Sequence, residues 1–227
     1  MAVVTVLDRS ELDAELTLAP ERYDPRNRLC AAQRLADVAS FARETVASGV
    51  AGSFVAIDTT HAAAGFIALA PLQKTDEVRS AKRRVRPGDV IVSRLRPYLR
   101  QIAYVDDGLQ AAFPAALLCC STEFYVLRPA GNAPIAFLLP FLLSDPVQAY
   151  LRRAQEGGHH PRVPREALAM LPLPRTAELL RNETVIEAIA GYRRAEERLH
   201  REIAFHVELG ARIDAPVGEP FDVERAR

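Results

Sequence analysis

Residues 85–105 read Val-Arg-Pro-Gly-Asp-Val-Ile-Val-Ser-Arg-Leu-Arg-Pro-Tyr-Leu-Arg-Gln-Ile-Ala-Tyr-Val, and after a loop residues 120–129 read Cys-Ser-Thr-Glu-Phe-Tyr-Val-Leu-Arg-Pro. Two short apolar runs, 89–93 and 101–105, bracket a segment in which Arg94, Arg96 and Arg100 surround Pro97 and Tyr98. Runs rich in Val, Ile and Tyr and bounded by turn residues predict strands. The segment between them can hold several guanidinium groups on a stiff sheet edge, where they can meet phosphate.

Working outward, residues 52–129 alternate such runs with turn-rich breaks at 61–65, 87–88, 106–108 and Pro114. That pattern predicts a small, curved, mostly antiparallel sheet, entered by a basic hinge at 79–86. Upstream, residues 28–48 are Ala-rich, with Leu29, Ala32, Leu35, Val38, Phe41 and Val46 at helical spacing and Gly49 as a stop. This predicts a helix packed on the sheet. Downstream, 134–143 is an apolar segment, Asp145-Pro146 opens a helix closed by Gly157-Gly158, and Pro164 opens a short helix through Met170. Residues 182–213 have helix-forming composition, with Val185, Ile189, Tyr192, Leu199 and Ile203 at steps of three and four once Glu196 is accepted as an interruption. As one helix they would reach about 48 Å, longer than a core helix needs, which predicts an arm that pairs with another helix. The fold class is therefore α+β, with a frayed tail expected from 214 to 227.

The 227 residues leave room for one sizeable core and a helical appendage. Lys plus Arg equals Asp plus Glu at 29 each, so the chain as a whole carries no basic signature. The distribution differs, because window 74–100 holds nine basic residues against three acids, a net +6 that leaves −6 for the remainder. Charges farther apart than about 8 Å are largely screened at physiological salt, so a local field can steer a polyanion although the sum is zero. Cys30, Cys119 and Cys120 fit neither a disulfide framework nor a zinc spacing and predict reduced thiols in a cytoplasmic protein. Met1 is followed within a few residues by Asp8 and Glu11, and the apolar stretches near Ala111 and Ile135 are broken by Pro114 and Pro140. No export or membrane-spanning segment is expected.

The Pro-Gly-Asp-apolar-Ser-Arg-x-Arg-Pro-Tyr-Leu run (87–99) and the Ser-Thr-Glu-Phe-apolar-Leu-Arg-Pro run (121–129) resemble the target recognition domain of type I restriction-modification specificity subunits. Glu21-Arg22-Tyr23-Asp24-Pro25 is similar to their tyrosine-proline opening, and residues 53–58 with 65–67 resemble their first strand pair. Residues 157–163 and Leu171-Pro172-Leu173-Pro174 resemble their glycine loop and its exit into a long helix. The resemblance implies a recognition domain over 1–175, a spacer and docking helix over 176–213, and a flexible tail. It implies double-stranded DNA and an adenine DNA methyltransferase as partners, with a restriction subunit as an optional third. Family members usually carry two such units in tandem; one is read here, which implies a homodimer or a second specificity chain. Leu173-Pro174-Arg175-Thr176 departs from the Pro-Pro-Leu-x-Glu-Gln often found there, which bears on the methyltransferase contact.

The DNA-binding candidates are Lys82, Arg83, Arg84, Arg86, Arg94, Arg96, Tyr98 and Arg100, since the planar fork of arginine binds phosphate or the O6 and N7 of guanine. The alternative is that these arginines form a solvated rim or pair with Glu77, Asp89 and Glu123. The second candidate group is the loop carrying His159, His160, Arg162 and Arg165, where two glycines allow close backbone approach; the alternative there is an ordinary helix cap and polar turn. Val185, Ile189, Tyr192, Leu199 and Ile203 are the partner-docking candidates.

Adjacent histidines rarely converge on one ion, so no metal site is expected. No Gly-x-Ser-x-Gly, phosphate loop, His-Glu-x-x-His or Asn/Asp-Pro-Pro-Tyr motif occurs, and no catalytic residue is assigned. No cofactor is expected on this chain; S-adenosylmethionine belongs to the implied methyltransferase. The rival reading is a protein adaptor that works through the long helix without binding DNA.

Overall fold

The computed structural model describes residues 33–158, 161–173 and 182–213. The described chain opens with β1 (Gln33–Arg34), one turn of helix, α1 (Leu35–Val38), and the short strands β2 (Ala39–Phe41) and β3 (Thr45–Val46). Next come β4 (Ala51–Ile57), the paired β5 (Ala62–Ala63) and β6 (Phe66–Ile67), then β7 (Lys74–Glu77), β8 (Lys82–Arg84), β9 (Val90–Ser93) and β10 (Ile102–Tyr104). Helix α2 (Asp107–Ala112) leads to β11 (Leu117–Ser121) and β12 (Phe124–Pro129). Helices α3 (Leu138–Leu143), α4 (Asp145–Arg153) and α5 (Arg165–Ala169), strand β13 (Pro172–Leu173) and helix α6 (Asn182–Ile213) complete an α+β fold.

The quoted apolar runs are β9 and β10, paired antiparallel with Val92 opposite Ile102. They lie in a four-stranded antiparallel sheet ordered β10-β9-β12-β2. All four residues of β9 are buried because both faces are covered. Val90 and Val92 belong to one core cluster with Leu35, Leu138, Leu142, Leu151 and Leu168 of α1, α3, α4 and α5, whereas Ile91 belongs to another with Val55, Ile57, Leu118 and Phe124. The second group belongs largely to a five-stranded sheet ordered β3-β8-β11-β4-β7, in which β11 and β4 run parallel and the other pairs antiparallel. Helices, sheet and sheet thus form three layers. Each fully buried Leu or Phe in them contributes about 1.5–3 kcal/mol of transfer free energy.

Two expectations change here. The pairing is mostly antiparallel as expected, but among the described residues the strands form two main sheets and two two-stranded ones, β1-β13 and β5-β6, not one sheet. The helix expected over 28–48 lasts one turn where it is described; Ala39–Phe41 then pairs with β12 and Thr45–Val46 with β8. Helix propensity is a weak preference, and the open edges of β12 and β8 offer backbone partners and burial for Ala39 and Val46. Downstream the expectations fare better. Helix α4 has Asp145 and Pro146 in its first turn, one step inside the capping position of Ser144. Helix α5 is capped by Pro164 and Met170.

The long helix is rooted in the domain. Ile189 is buried in the helix-side core, with Val185 and Ile186 packed beside it. Arg193, 3% exposed, reaches Asp106 (2.7 and 3.2 Å), the Ile67 carbonyl (3.0 Å) and Glu196 (2.6 Å), and its guanidinium lies 4.4 Å from the Phe66 ring centre. Glu196 in turn accepts the Leu69 N–H at 2.7 Å. The residue that interrupts the apolar seam is therefore part of a buried clamp. Among the described residues no helix is long and apolar enough to cross a membrane.

Candidate nucleic-acid interface

Two groups of the basic window lie at the two ends of β9. Its four residues separate the ends by about 13 Å, more than a Debye length of about 8 Å. At the first end, Glu44 receives both contacts of Arg86 Nη2 (2.7 and 2.8 Å), Arg128 at 2.7 Å and Arg84 at 3.8 Å. Asp89, almost fully buried, takes Arg128 in two bonds of 2.9 Å and the Arg86 N–H at 2.9 Å. Hydrogen bonds from Arg128 and then Arg86 hold the Glu44 carboxyl below its ordinary range, and Asp89 above all holds the Arg128 proton more tightly. These groups neutralise one another. They explain why the turn Arg86-Pro87-Gly88-Asp89 is stable.

At the second end, Glu123 accepts Arg162 at 3.0 and 3.2 Å and Arg94 at 2.8 Å. Arg162 and then Arg94 hold its carboxyl at about 2, and Glu123 raises both guanidinium groups in return. Backbone bonds follow the same connection. The Val163 N–H donates to the Arg94 carbonyl at 2.9 Å, the Arg94 N–H donates to the Glu123 carbonyl at 3.0 Å, and Leu95 bridges to Arg162. The Tyr125 hydroxyl donates to the Val163 carbonyl at 2.8 Å. Burial pushes that phenol up while Arg94 and Arg83 pull it down.

The segment following Arg94 is a tight turn with one helical turn at its crest, Pro97–Leu99. Arg96 and Arg100, which flank it, both lie in the left-handed region at φ 45° and 49°. Each such non-glycine residue costs about 1–2 kcal/mol unless the surroundings impose it. Here they do. Pro97 is buried, the Leu99 N–H reaches the Arg96 carbonyl (2.9 Å), the Arg100 N–H reaches the Pro97 carbonyl (2.8 Å), and the Arg100 side chain bonds Asp145 and the Leu143 carbonyl. Arg96 and Tyr98 stand out from the crest, and Tyr98 is 57% exposed.

The glycine loop meets this turn. Glu156 and Arg162 exchange both backbone bonds (2.9 and 2.8 Å), and Gly157 takes φ 98°. Arg94, Arg96, Tyr98, Arg100 and Arg162, more than fifty residues apart at their extremes, are thereby gathered on one edge. His159 and His160 fall outside the described residues.

The remaining candidates lie elsewhere. Lys82 is mostly covered and sits 3.4 Å from Asp58. Arg83 is in register with Cys120 and keeps its Nε enclosed without a hydrogen bond. Arg84 and Arg86 belong to the Glu44 group, and Arg165 covers the Phe41 ring at 4.7 Å. On α6, Val185 and Ile189 face the domain's own core, Tyr192 lies against Phe66 at 3.6 Å between ring centres, and Leu199, Ile203 and Val207 are exposed. Sequence reasoning named Asp89 and Glu123 only as the competing partners of the arginines. It missed Glu44, Arg128 and the Asp106-Arg193-Glu196 clamp, for which no local pattern gives a signal.

No protein-family model matches the chain, and no curated protein matches it. Solved structures do. One is a chain described under "Structural basis underlying complex assembly and conformational transition of the type I R-M system", with TM-score 0.51 and 25% identity over 84% of this chain and 51% of that one. Another is the HsdS subunit from Thermoanaerobacter tengcongensis, with TM-score 0.50 and 24% identity over the same shares of the two chains. The chain spans about half the length of the solved chains it matches. The resemblance to type I specificity subunits read from the sequence is matched by the fold.

Proposed function

We propose that this chain is a non-catalytic DNA-specificity component of a type I restriction-modification assembly or a related phage-defence system. The observation that carries the reading is the convergence of the 94–100 turn and the Glu156–Arg162 backbone pair on one edge of a fold shared with such chains. This edge would lie against double-stranded DNA in the cytoplasm. The exposed stretch of α6 at Leu199, Ile203 and Val207 supports a docking role for the arm, toward an adenine methyltransferase subunit, a second specificity chain or a second copy of this chain. A restriction subunit would join through that assembly. S-adenosylmethionine would be held by the methyltransferase, whose chemistry this chain would only place.

The test is retention of a randomised duplex library by the full chain, alone and co-expressed with its methyltransferase, at near-physiological salt, followed by sequencing. Enrichment of a short motif, with affinity falling as salt rises by a log–log slope of about 0.9 per phosphate contacted, supports the reading. No enrichment in either form by the folded protein overturns it and leaves the adaptor role of α6.

A further inference from the structure

The arginines of the gathered edge are not equivalent. Arg94 and Arg162 share Glu123, and Arg100 is held by Asp145 and the Leu143 carbonyl. An arginine already bonded to a carboxylate must give up that partner before it can grip another acceptor, so its net gain is small. The Arg96 side chain is exposed and makes no hydrogen bond or ion pair among the described residues. Tyr98, two residues on, presents its ring and hydroxyl to solvent with no partner there either.

Both side chains stand on a firmly held turn of that edge. Its backbone is tied through Arg94 to Glu123 and Val163, closed on itself by two bonds across Pro97–Leu99, and anchored by the buried Pro97. A phosphate contact tolerates a flexible side chain, whereas a base edge is read only from a fixed direction. On the premise that the chain reads duplex DNA, we propose that Arg96 and Tyr98 are its specificity-determining pair. Arg96 forks onto the N7 and O6 of one guanine and Tyr98 lies against the neighbouring base, while Arg94, Arg100 and Arg162 hold the turn in place.

The left-handed backbone at position 96 supplies a clean variant, because glycine accepts φ 45° without strain. Arg96→Gly removes the side chain and is expected to leave the urea midpoint of the full chain at or above that of the wild type. In the randomised duplex selection it should lose the preference for guanine at one position by roughly five- to 150-fold, the discrimination one bidentate arginine supplies. Arg96→Lys should not restore it, since an ammonium lacks the fork. Tyr98→Ala should relax the adjacent position and Tyr98→Phe should largely keep it.

A wild-type chain that enriches no motif overturns the DNA reading and this inference together. A wild type that enriches one, with Arg96→Gly and Tyr98→Ala selecting the same motif as strongly, overturns the inference alone. Weaker retention of all sequences with the preference intact would place the pair on phosphate, and that too overturns it.

Discussion

Replacing Glu123 by glutamine keeps its shape and removes the charge that Arg94 and Arg162 share. A carboxylate held at about 2 instead of its ordinary 4.5 favours the folded state at neutral pH by at most about 3.4 kcal/mol, since each tenfold change in proton affinity is worth about 1.4 kcal/mol. The Glu123 side chain is 24% exposed and those of Arg94 and Arg162 are 29% and 42% exposed, so water and salt screen part of that attraction. Roughly half survives, and the expected loss on Glu123→Gln is about 1.5–2 kcal/mol. With a urea slope of about 2 kcal/mol per molar, the unfolding midpoint falls by about 0.8–1 M at pH 7. The pH dependence follows from the direction of the change. The folded carboxyl holds its proton more weakly than the unfolded one, so the stabilisation is complete above about pH 4.5 and is lost as pH falls toward 2. The gap between wild type and variant should therefore narrow by about half between pH 7 and pH 3. Urea titrations at several pH values, followed by circular dichroism, measure it. A gap that stays constant over this range would show that the loss is one of packing, and no gap at pH 7 would show that the shared carboxylate contributes nothing.

Three further outcomes follow from the same reasoning. Arg193→Ala leaves Asp106 buried without its partner and should cost about 3–5 kcal/mol in thermal or urea unfolding; a loss below 1 kcal/mol would mean the clamp is not a closed pair. Gly108→Ala improves helix propensity in α2 by about 1 kcal/mol, yet its methyl would lie 2.8 Å from Asp106 Oδ1 and 2.9 Å from Arg193 Cγ. A net destabilisation of about 1–2 kcal/mol is expected, and a rise in Tm would refute the close approach. Burial pushes the thiol of Cys119 to about 11 and that of Cys120 higher still. Iodoacetamide at pH 8 should leave both unmodified until urea is added, as peptide mapping by mass spectrometry would show, and labelling of either in the native protein would contradict their burial.

The sequence was most legible where local pattern and tertiary context agree. β9 and β10 were visible because both faces of one are buried and their flanks are Pro-Gly and Pro-Tyr turns. Helices α4, α5 and α6 were visible from prolines at their starts and from composition. The segment 33–46 was misread as helix because its apolar spacing satisfies a helix as well as two edge strands, and only the open edges of β12 and β8 decide between them. In the candidate site the sequence exposed the arginines but not their partners. Nine cations in one window read as one stripe, yet Glu44, forty residues upstream of Arg84, takes Arg84 and Arg86, and Glu123, twenty-nine downstream of Arg94, takes Arg94, while Lys82 and Arg100 go to Asp58 and Asp145. Strand register brings those acids in, and register depends on the whole sheet.

The rooting of α6 bears on what an arm of this kind can do. Residues 182–196 are bound to the domain through Val185, Ile189 and the Arg193 clamp, which leaves 197–213 to project by about 25 Å. A tilt of about 10° at the root would move the tip by about 4 Å, more than one base-pair step of 3.4 Å on duplex DNA. A buried ion pair contributes little net stability beside an apolar pair of the same volume, because both charges must be desolvated. Its three acceptors, Asp106, the Ile67 carbonyl and Glu196, nevertheless admit one direction of approach for the guanidinium. An apolar contact would permit the helix to slide or roll. The clamp thus fixes an angle more than it strengthens a fold, and an angle held at the root is what an arm must have if it is to carry a partner to a set distance from the edge that holds Arg96 and Tyr98.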